Sequence, residues 1–439
     1  MDANQSLILS LFSAVALTQA VAIASTENTT PRFVQIEAHN QVERSQIANC
    51  GVSLEAFRSD SVWGFATPNE LACLSKQSIK VLGNFDLAVG RGGHESGFGF
   101  PSNDEKFHDH AEVATALRAI EAANPEICKV SVIGKSLEGR EVLGIHFNTV
   151  KESLESGTSS KPGYIIMGNH HAREHLSVEV PLLFAQYVAK NKADPKIAEL
   201  LQGRDLWIIP MINPDGAEFD TTGGNYQMWR KNRRNNGDGT YGVDLNRNYG
   251  FKWGTGGSSS ETDSDTYMGP QPFSEPETQN VRDFVDTHLN AKVLLTVHTF
   301  SELILYPWGH KNEAISNQAD RATYEAMAKT MAQWNHYKPE QSSGLYIASG
   351  DTTDWAYGTH GIFAFTFELS PNSMWGGGFY PGQKVIDKVF NDNLKPMLYM
   401  WGLADDPHRA TSQNPTGFLK SYVQPSLIEG NFWANSSKF

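Results

Sequence analysis

The sequence has little cysteine. It has three such residues in 439, namely Cys50, Cys73 and Cys128, and these cannot build a disulfide framework. The stability of the fold must therefore come from packing. Cys50 and Cys73 are close enough in sequence to pair in an exported protein, which would leave Cys128 alone, but three buried thiols are an equal alternative. Composition does not decide between the two.

The sequence also lacks an excess of positive charge and long apolar runs. It has 36 Lys and Arg against 49 Asp and Glu, a net charge of −13. Proteins that bind a nucleic-acid backbone need clustered basic residues, so this balance argues against nucleic acid as a partner. After the N-terminal region no segment approaches the roughly 18 consecutive apolar residues of a membrane span. We therefore expect no stable membrane span once that region is removed.

Apolar and aromatic residues, in contrast, are plentiful. The chain is 40% hydrophobic, with 23 Phe, 14 Tyr and 10 Trp. This is ample apolar area for a substantial core and excludes collagen-like and wholly disordered proteins.

The first residues are typical of an export signal. Leu7–Leu17 is an apolar stretch, and small residues that resemble an A-x-A cleavage site follow it. The positively charged start is missing, because no Lys or Arg precedes Arg32, so an uncleaved N-terminal anchor is the alternative. We predict a signal peptide over residues 1–24 and a secreted or periplasmic protein.

Composition divides the rest of the chain into four segments. Residues 25–89 mix short strand-like and helix-like pieces and predict a small α+β unit. Residues 90–104 are rich in glycine and predict a linker. A long α/β pattern occupies residues 105–406, and residues 407–439 form a polar and aromatic tail without a clear period.

Four short apolar runs in the long region are typical of buried parallel strands. They are Tyr164–Met167, Leu206–Met211, Val293–Val297 and Phe363–Phe367. Amphipathic helical stretches separate or precede them, at Asp104–Ala122, Leu176–Ala189 and Tyr324–Trp334. Strands alternating with helices predict an α/β fold, a mixed and mostly parallel twisted sheet with helices on both faces.

Polar residues follow these runs at the edge of the sheet where such folds bind ligands. They are His170, His171, Asn213, His298 and Glu368. Groups that can bind a metal or move a proton are thus predicted to meet at the carboxyl ends of the strands.

The spacing His171-x-x-Glu174 can bring an imidazole and a carboxylate to one metal ion. Alone it is weak, since a helix start with solvated charges fits it equally well. With His175 it also matches the inverted zinc-peptidase motif, in which both histidines bind the metal. Because His171 directly follows a strand-like run, we place it on a loop and do not favour the inverted motif.

Six segments in order carry a specific resemblance. They are HARE at 171–174, WRKNRR at 229–234, VDLNRN at 243–248, VHT at 297–299, the tyrosine of YIASG at 346–350, and TFEL at 366–369. Together they resemble the zinc metallocarboxypeptidases of the carboxypeptidase A and B type, close to the bacterial broad-specificity members, over roughly Phe107–Asp406.

That resemblance implies a metal site and its chemistry. His171, Glu174 and His298 would hold one zinc ion per chain, and Asp244 would hold the second ring nitrogen of the first ligand. Glu368 would be the general base that takes a proton from the zinc-activated water.

It also implies how a peptide is held. Arg233 would stabilise the oxyanion of the scissile carbonyl. Arg247 and Asn246 would clamp the free C-terminal carboxylate, Arg173 would line the adjoining subsite, and Tyr346 would close over the bound end. The expected reaction is hydrolysis of the C-terminal peptide bond of peptides and proteins.

Terminal-residue preference depends on Asp351. An acid in this loop favours terminal Lys or Arg in the family, but here Thr353 occupies the place used by the strictly basic-specific members. We therefore expect both hydrophobic and basic terminal residues to be accepted. By the same resemblance residues 25–89 would be a propeptide, cleaved at or near Arg91, and the enzyme a monomer.

Two other functions fit this scaffold. One is a non-catalytic protein that binds peptide C-termini, and the other is hydrolysis of cell-wall peptides. The filled base, ligand and clamp positions argue against the first.

Overall fold

The computed structural model describes residues 31–85 and 99–412. The predicted signal peptide, Arg91 with most of the linker, and the tail after residue 412 lie outside the described residues. Among those described, no helix is long and apolar enough to cross a membrane.

The larger part of the chain is built on an eight-stranded mixed sheet, in the order β11-β10-β12-β9-β7-β8-β6-β5. These strands are β5 (Cys128–Lys135), β6 (Glu141–Phe147), β7 (Gly163–Gly168), β8 (Asp205–Ile209), β9 (Ala291–Thr299), β10 (Leu303–Tyr306), β11 (Lys338–Gln341) and β12 (Phe363–Leu369). The four adjacent central strands, β12, β9, β7 and β8, pair in parallel. They are the four runs predicted from the sequence, and the predicted fold class is confirmed. Strand β8 ends before Pro210, which has no N–H to donate to the ladder.

Helices cover both faces of this sheet. They are α3 (His110–Ala123), α4 (Lys151–Ser156), α5 (Leu176–Lys190), α6 (Pro195–Gly203), α7 (Pro214–Asp220), α8 (Pro276–Thr287), α9 (Gln318–Asn335), α10 (Thr352–His360) and α11 (Ile386–Gly402). Along β7, Tyr164 and Ile166 pack into the larger core with α3, α5, α6, α9 and α11. Ile165 and Met167 alternate to the other face, where α8 and α10 cover them.

Helix α3 is shorter than the helix predicted from residue 104. It begins at His110 because Asp109 caps it: the Asp109 side chain accepts from the Glu112 N–H, and the Glu112 side chain accepts from the Asp109 N–H. This reciprocal pair fixes the first turn and leaves residues 104–109 outside the helix.

The N-terminal segment forms the small α+β unit expected from its sequence. Its strands are β1 (Arg32–Glu37), β2 (Ser53–Phe57), β3 (Ser61–Ala66) and β4 (Val81–Phe85), and its helices are α1 (Gln41–Asn49) and α2 (Pro68–Lys76). The sheet is antiparallel with the order β2-β3-β1-β4. Cys50, at the C-terminal cap of α1, and Cys73, within α2, form a disulfide, and Cys128 is a buried free thiol.

This N-terminal unit docks on the loops at the carboxyl edge of the large sheet. The Gly51 carbonyl accepts hydrogen bonds from the hydroxyls of Ser264 and Thr266, at 3.1 and 2.9 Å. The Arg44 guanidinium donates to the carbonyls of Gly344 and Leu345. The unit therefore contacts the loop that precedes Tyr346.

Candidate active site

The turn between β7 and α5 brings His171 and Glu174 together. The strand ends at Gly168, where a Cβ would lie 1.9 Å from the Ser177 carbonyl oxygen, so only glycine lets α5 pack this close. Asn169 has a positive φ of 59° and its side-chain amide donates to the His171 and Ala172 carbonyls. In the resulting turn, His171 Nδ1 lies 2.8 Å from Glu174 Oε1.

His298 reaches the same point from the neighbouring strand β9. Its Nδ1 lies 3.2 Å from His171 Nδ1 and 3.0 Å from Glu174 Oε2. The ligand atoms of the three residues all lie within 4.8 Å of one another, and among the described residues this is the one such group of His, Cys, Asp and Glu. All three side chains are buried.

This donor set fits zinc. Two imidazole nitrogens and one carboxylate are typical zinc ligands, and three protein ligands leave a position for water or substrate, as in catalytic sites. Burial by itself raises the pKa of Glu174, but His171 and His298 outweigh it and hold that pKa below its usual value. The carboxylate is thus available as a ligand.

Asp244 orients the first of these histidines. Its Oδ1 lies 3.1 Å from His171 Nε2, which directs the other ring nitrogen, Nδ1, toward Glu174 and His298. Its Oδ2 accepts from both Nε and Nη2 of Arg230, at 3.0 and 2.9 Å. Although burial acts to raise the pKa of Asp244, Arg230 and His171 hold it well below the usual range.

Glu368 lies beside the metal-ligand group because β12 pairs in parallel with β9. In that register Glu368 is the partner of His298, so both side chains belong to the same face of the sheet. Burial raises the pKa of Glu368 well above its usual value, and the neighbouring carboxylates of Glu174 and Glu55 raise it further. A raised pKa is what a carboxylate needs in order to accept a proton near neutral pH.

Asn246 and Arg247 line a pocket that His171, Glu174 and Glu368 also line. The side-chain oxygen of Asn246 accepts from the backbone N–H of Thr352 at 2.9 Å. Arg247 donates through Nε to the Gly257 carbonyl and through Nη2 to the Tyr346 hydroxyl, at 3.1 and 3.2 Å. These contacts fix a planar guanidinium and an amide side by side at the pocket wall.

The structure does not bring Arg233 into this pocket. Its guanidinium stacks 3.5 Å from the Phe219 ring centroid and 4.7 Å from that of Trp229, and it does not line the pocket. Arg230 lines it instead, beside Glu174. The placement expected from the sequence is therefore corrected: Asp244 draws in the first arginine of the motif, and aromatic rings hold the later one outside.

Arg173 is fully buried beneath the N-terminal unit. Nη2 pairs with Glu55 of β2 at 2.7 Å and Nη1 pairs with Asp265 at 3.0 Å. The rings of Phe65 and Phe379 lie near its guanidinium, at 4.7 and 4.4 Å. As long as the N-terminal unit is docked, Arg173 does not line the pocket.

Glu55 is a pocket residue that the sequence did not reveal. It lines the pocket, and its Oε1 lies 4.0 Å from Arg230 Nη1 in addition to its pair with Arg173. Its strand is separated from the rest of the site by more than a hundred residues, and no motif marks it. A buried acid in a segment otherwise rich in apolar residues is the sole signal.

Asp351 lines the pocket, together with Leu305, Gly309, Ala348, Thr353 and Thr366. Its Oδ1 caps α10 by accepting from the N–H groups of Thr353 and Asp354. Its Oδ2 is buried and has no hydrogen-bond partner among the described residues. Burial, and then the charge of Asp354, raise the pKa of Asp351 to about 7.

His175 does not belong to the metal-ligand group. Its Nε2 lies 2.8 Å from Asp220 Oδ2, and its ring packs edge-on against Phe100. The inverted zinc-peptidase motif is therefore not formed.

Comparison with known proteins agrees with this geometry. The sequence model of the family described as zinc carboxypeptidase matches residues 113–396. A zinc carboxypeptidase of Saccharothrix mutabilis subsp. capreolus is 33% identical, over 82% of this chain and 86% of that protein. Carboxypeptidase B of Astacus astacus is 34% identical, over 62% of this chain and 88% of that protein.

A solved structure agrees in fold. The carboxypeptidase A from Helicoverpa armigera aligns with a TM-score of 0.68 at 24% identity, covering 89% of this chain and all of that one. The family and the enzyme class predicted from the sequence are confirmed. The chain belongs to the zinc carboxypeptidase family and is a metallocarboxypeptidase, a hydrolase that removes residues from the C-terminal end of peptides.

Proposed function

We propose that this protein is an exported zinc exopeptidase that releases both hydrophobic and basic residues from peptide C-termini. The observation that carries the proposal is that an anion clamp, Arg247 with Asn246, lines the same pocket as the metal-ligand residues His171 and Glu174 and as Glu368. Every one of these groups comes from one chain, so the proposed active form is a monomer.

The clamp selects chain ends. The carboxylate of a peptide C-terminus is an anion whose geometry matches the planar fork of Arg247, and the Asn246 amide adds a second donor. A peptide bond in the middle of a chain offers no such anion. The hydroxyl of Tyr346, which bonds to Arg247, then lies where it can close over the bound terminal residue.

His171, Glu174 and His298 would hold the zinc ion. When bound, it supplies Lewis-acid polarisation and makes a nearby water easier to deprotonate. Glu368 takes the proton from the attacking water at a side-chain oxygen and delivers it to the leaving amine. Its raised pKa suits both halves of this task, because the protonated form must persist long enough to act as an acid.

Arg230 is the proposed donor to the scissile carbonyl. Its guanidinium lies in the pocket and its Nε and Nη2 are committed to Asp244, which aims the remaining edge toward the pocket. A fixed cation at this position stabilises the negative charge that develops on the carbonyl oxygen in the transition state.

Residues 25–89 are proposed to be a propeptide, and cleavage at or near Arg91 to activate the enzyme. Support comes from Glu55, which neutralises Arg173 and approaches Arg230 from within the pocket. The Phe57 ring also stacks on Tyr346 at 5.9 Å. The disulfide between Cys50 and Cys73 is consistent with export, since disulfides persist in oxidising compartments.

The basic reaction is tested with matched peptides. The cleaved protein should release a free terminal amino acid from a peptide with a free C-terminus and leave the same peptide intact when that end is amidated. A chelator should abolish release and added zinc should restore it. Cleavage of the amidated peptide, or binding of peptides without any release, would contradict the proposal, and the latter would favour a non-catalytic binding protein.

The two arginines of the WRKNRR motif should differ sharply. We expect Arg230→Met to lower kcat by roughly 10²–10³-fold, the usual loss for one oxyanion donor. The matched control, Arg233→Met, should keep kcat within about threefold because its guanidinium packs on rings outside the pocket. Steady-state kinetics, with thermal unfolding to confirm folding, decide this. If Arg233→Met lowers kcat more than Arg230→Met does, Arg233 and not Arg230 stabilises the scissile carbonyl.

Terminal-residue preference should depend on pH through Asp351. Below a pH of about 7 this carboxyl is protonated, and above it the carboxylate attracts a Lys or Arg side chain. The ratio of kcat/KM for a Lys-terminal over a Leu-terminal peptide should therefore rise roughly tenfold from pH 6 to pH 8, as expected for a charge-assisted hydrogen bond.

Asp351→Asn provides the matched control because asparagine also caps helices and should leave α10 intact. In this variant the ratio should be low and flat with pH, while kcat/KM for the Leu-terminal peptide changes little. Unchanged kinetics on Lys-terminal peptides would contradict the assignment.

The propeptide assignment is tested by comparing intact and cleaved chains. The intact wild type should have less than about a tenth of the cleaved activity. Glu55→Gln should raise intact-chain activity severalfold, because it breaks the buried Glu55–Arg173 ion pair and so weakens the docking of the N-terminal unit on the pocket. Glu37→Gln, on the exposed side of the same unit, should not. A native protein that begins near Ser25 and is fully active would refute the proposal.

A further inference from the structure

A line of buried hydrogen bonds joins the metal-ligand group to the carboxylate clamp. It starts at His298, whose Nε2 lies 3.1 Å from the Thr296 hydroxyl. That hydroxyl lies 3.1 Å from His170 Nδ1. On the far side of the ring, His170 Nε2 lies 3.1 Å from the Thr352 hydroxyl, which donates to Asn246 Oδ1 at 2.8 Å.

The line is shielded from water along its length. Thr296, His170 and Thr352 have no exposed surface, and His298 is 1% exposed. The rings of His170 and His298 are nearly parallel, with an interplanar angle of 12° and centroids 5.5 Å apart. Tyr249, also buried, places its hydroxyl 2.8 Å from His170 Nε2 and completes the wall around it. Hydrogen bonds made in such a place are not exchanged for water and hold their groups firmly.

The proton positions along the line follow from its two ends. At the clamp end, the Thr352 backbone N–H donates to Asn246 Oδ1, which fixes which amide atom is the oxygen. The Thr352 hydroxyl donates to the same oxygen, so its hydrogen bond with His170 places the proton on His170 Nε2, and the Tyr249 hydroxyl, 2.8 Å from the same nitrogen, is a second acceptor for that proton. The Nδ1 of His170 then accepts from the Thr296 hydroxyl.

The metal end requires the same polarity. With its proton directed to His170, the Thr296 hydroxyl accepts from His298 Nε2–H. A proton on Nε2 leaves the lone pair of His298 on Nδ1, the atom that faces His171 and Glu174. One proton arrangement therefore satisfies both ends: a ligand nitrogen free for the metal, and an Asn246 amide whose NH₂ is left to face the substrate.

We propose that His170 is a positioning residue that couples the metal-ligand group to the carboxylate clamp: it fixes the tautomer of His298 and, through the Thr352 hydroxyl, holds in place the Asn246 amide that the Thr352 backbone N–H orients. The clamp half of this inference rests on the function proposed above, while the metal half does not. His170 is not one of the metal-ligand residues and does not line the pocket, and it acts through Thr296 on one side and Thr352 on the other.

The test removes one hydroxyl at each end and reads the effect at the opposite end. The variants are Thr352→Val and Thr296→Val, with Thr352→Ser and Thr296→Ser as controls that keep the hydroxyl. Zinc affinity of the full chain is measured by competition with a chelator, and KM and kcat for a dipeptide are measured after the linker is cleaved. Thermal unfolding reports on structural damage alone.

We expect Thr352→Val, at the clamp end, to weaken zinc binding severalfold and up to about tenfold, the lower range for loss of an outer hydrogen-bond partner. Thr296→Val, at the metal end, should raise KM severalfold with a smaller change in kcat. Both serine variants should stay within twofold of the wild type. In a His170→Phe background, Thr352→Val should have no further effect on zinc affinity.

The proposal is overturned if Thr352→Val leaves the zinc Kd unchanged and Thr296→Val leaves KM unchanged, whatever their thermal stabilities. If His170→Phe does not fold, the two threonine variants decide alone. If the wild type hydrolyses no peptide, the proposed function fails, but the zinc affinity of Thr352→Val still decides whether the two ends are coupled.

Discussion

Parallel pairing of β7, β9 and β12 is the constraint on which the site depends. Because the three strands end at one edge, the turn after β7, the end of β9 and the end of β12 deliver His171, His298 and Glu368 to one place. The register matters as much as the topology, since pairing of Glu368 with His298 puts both on the same face. A shift of one residue in β12 would turn the Glu368 side chain to the opposite face of the sheet.

Bringing these strand ends together also brings several charged side chains together in a buried place, and most of these charges are neutralised by an oppositely charged neighbour. Asp244 neutralises Arg230 and also bonds to His171, so one carboxylate serves both a cation and a metal-ligand residue. Glu368 forms no such ion pair among the described residues, and burial together with the nearby Glu174 and Glu55 raises its pKa. Arg230 and His171 thus keep Asp244 ionised. The raised pKa of Glu368, in contrast, lets this residue accept and return a proton.

The central strands could be predicted from the sequence because parallel strands buried on both faces leave continuous apolar runs. His171, His298 and Glu368 could be found because they follow such runs, and Glu174 because of its spacing from His171. Prediction from the sequence failed where no periodic element exists. The WRKNRR motif lies in an irregular loop, and its arginines meet different partners: Arg230 pairs with Asp244, Arg233 packs on Phe219, and Arg234 pairs with Glu275. No spacing rule distinguishes them, because loop geometry is set by tertiary contacts.

Glu55 was missed for a related reason. Its strand belongs to the N-terminal unit, which has a core of its own, whereas its partners Arg173 and Arg230 lie in the larger part of the chain, so nothing local in β2 predicts which surface it contacts. The start of α3 at His110, in contrast, could be predicted from the sequence, because Asp109 and Glu112 have the spacing of a capping box.

The docked N-terminal unit places Glu55 in the pocket that the proposed substrate would also enter. Arg173 pairs with two carboxylates while the unit is docked, and its Nε has no hydrogen-bond partner among the described residues. A peptide backbone offers neutral carbonyls, which are weaker partners for a guanidinium than a carboxylate. If residues 25–89 are the propeptide proposed above, substrate would compete poorly while the unit is tethered, because the linker would keep Glu55 at an effective concentration of order millimolar. Cutting the linker would remove that advantage, so even a weakly bound unit would hold the intact enzyme inactive and would be lost by dilution once the chain is cleaved.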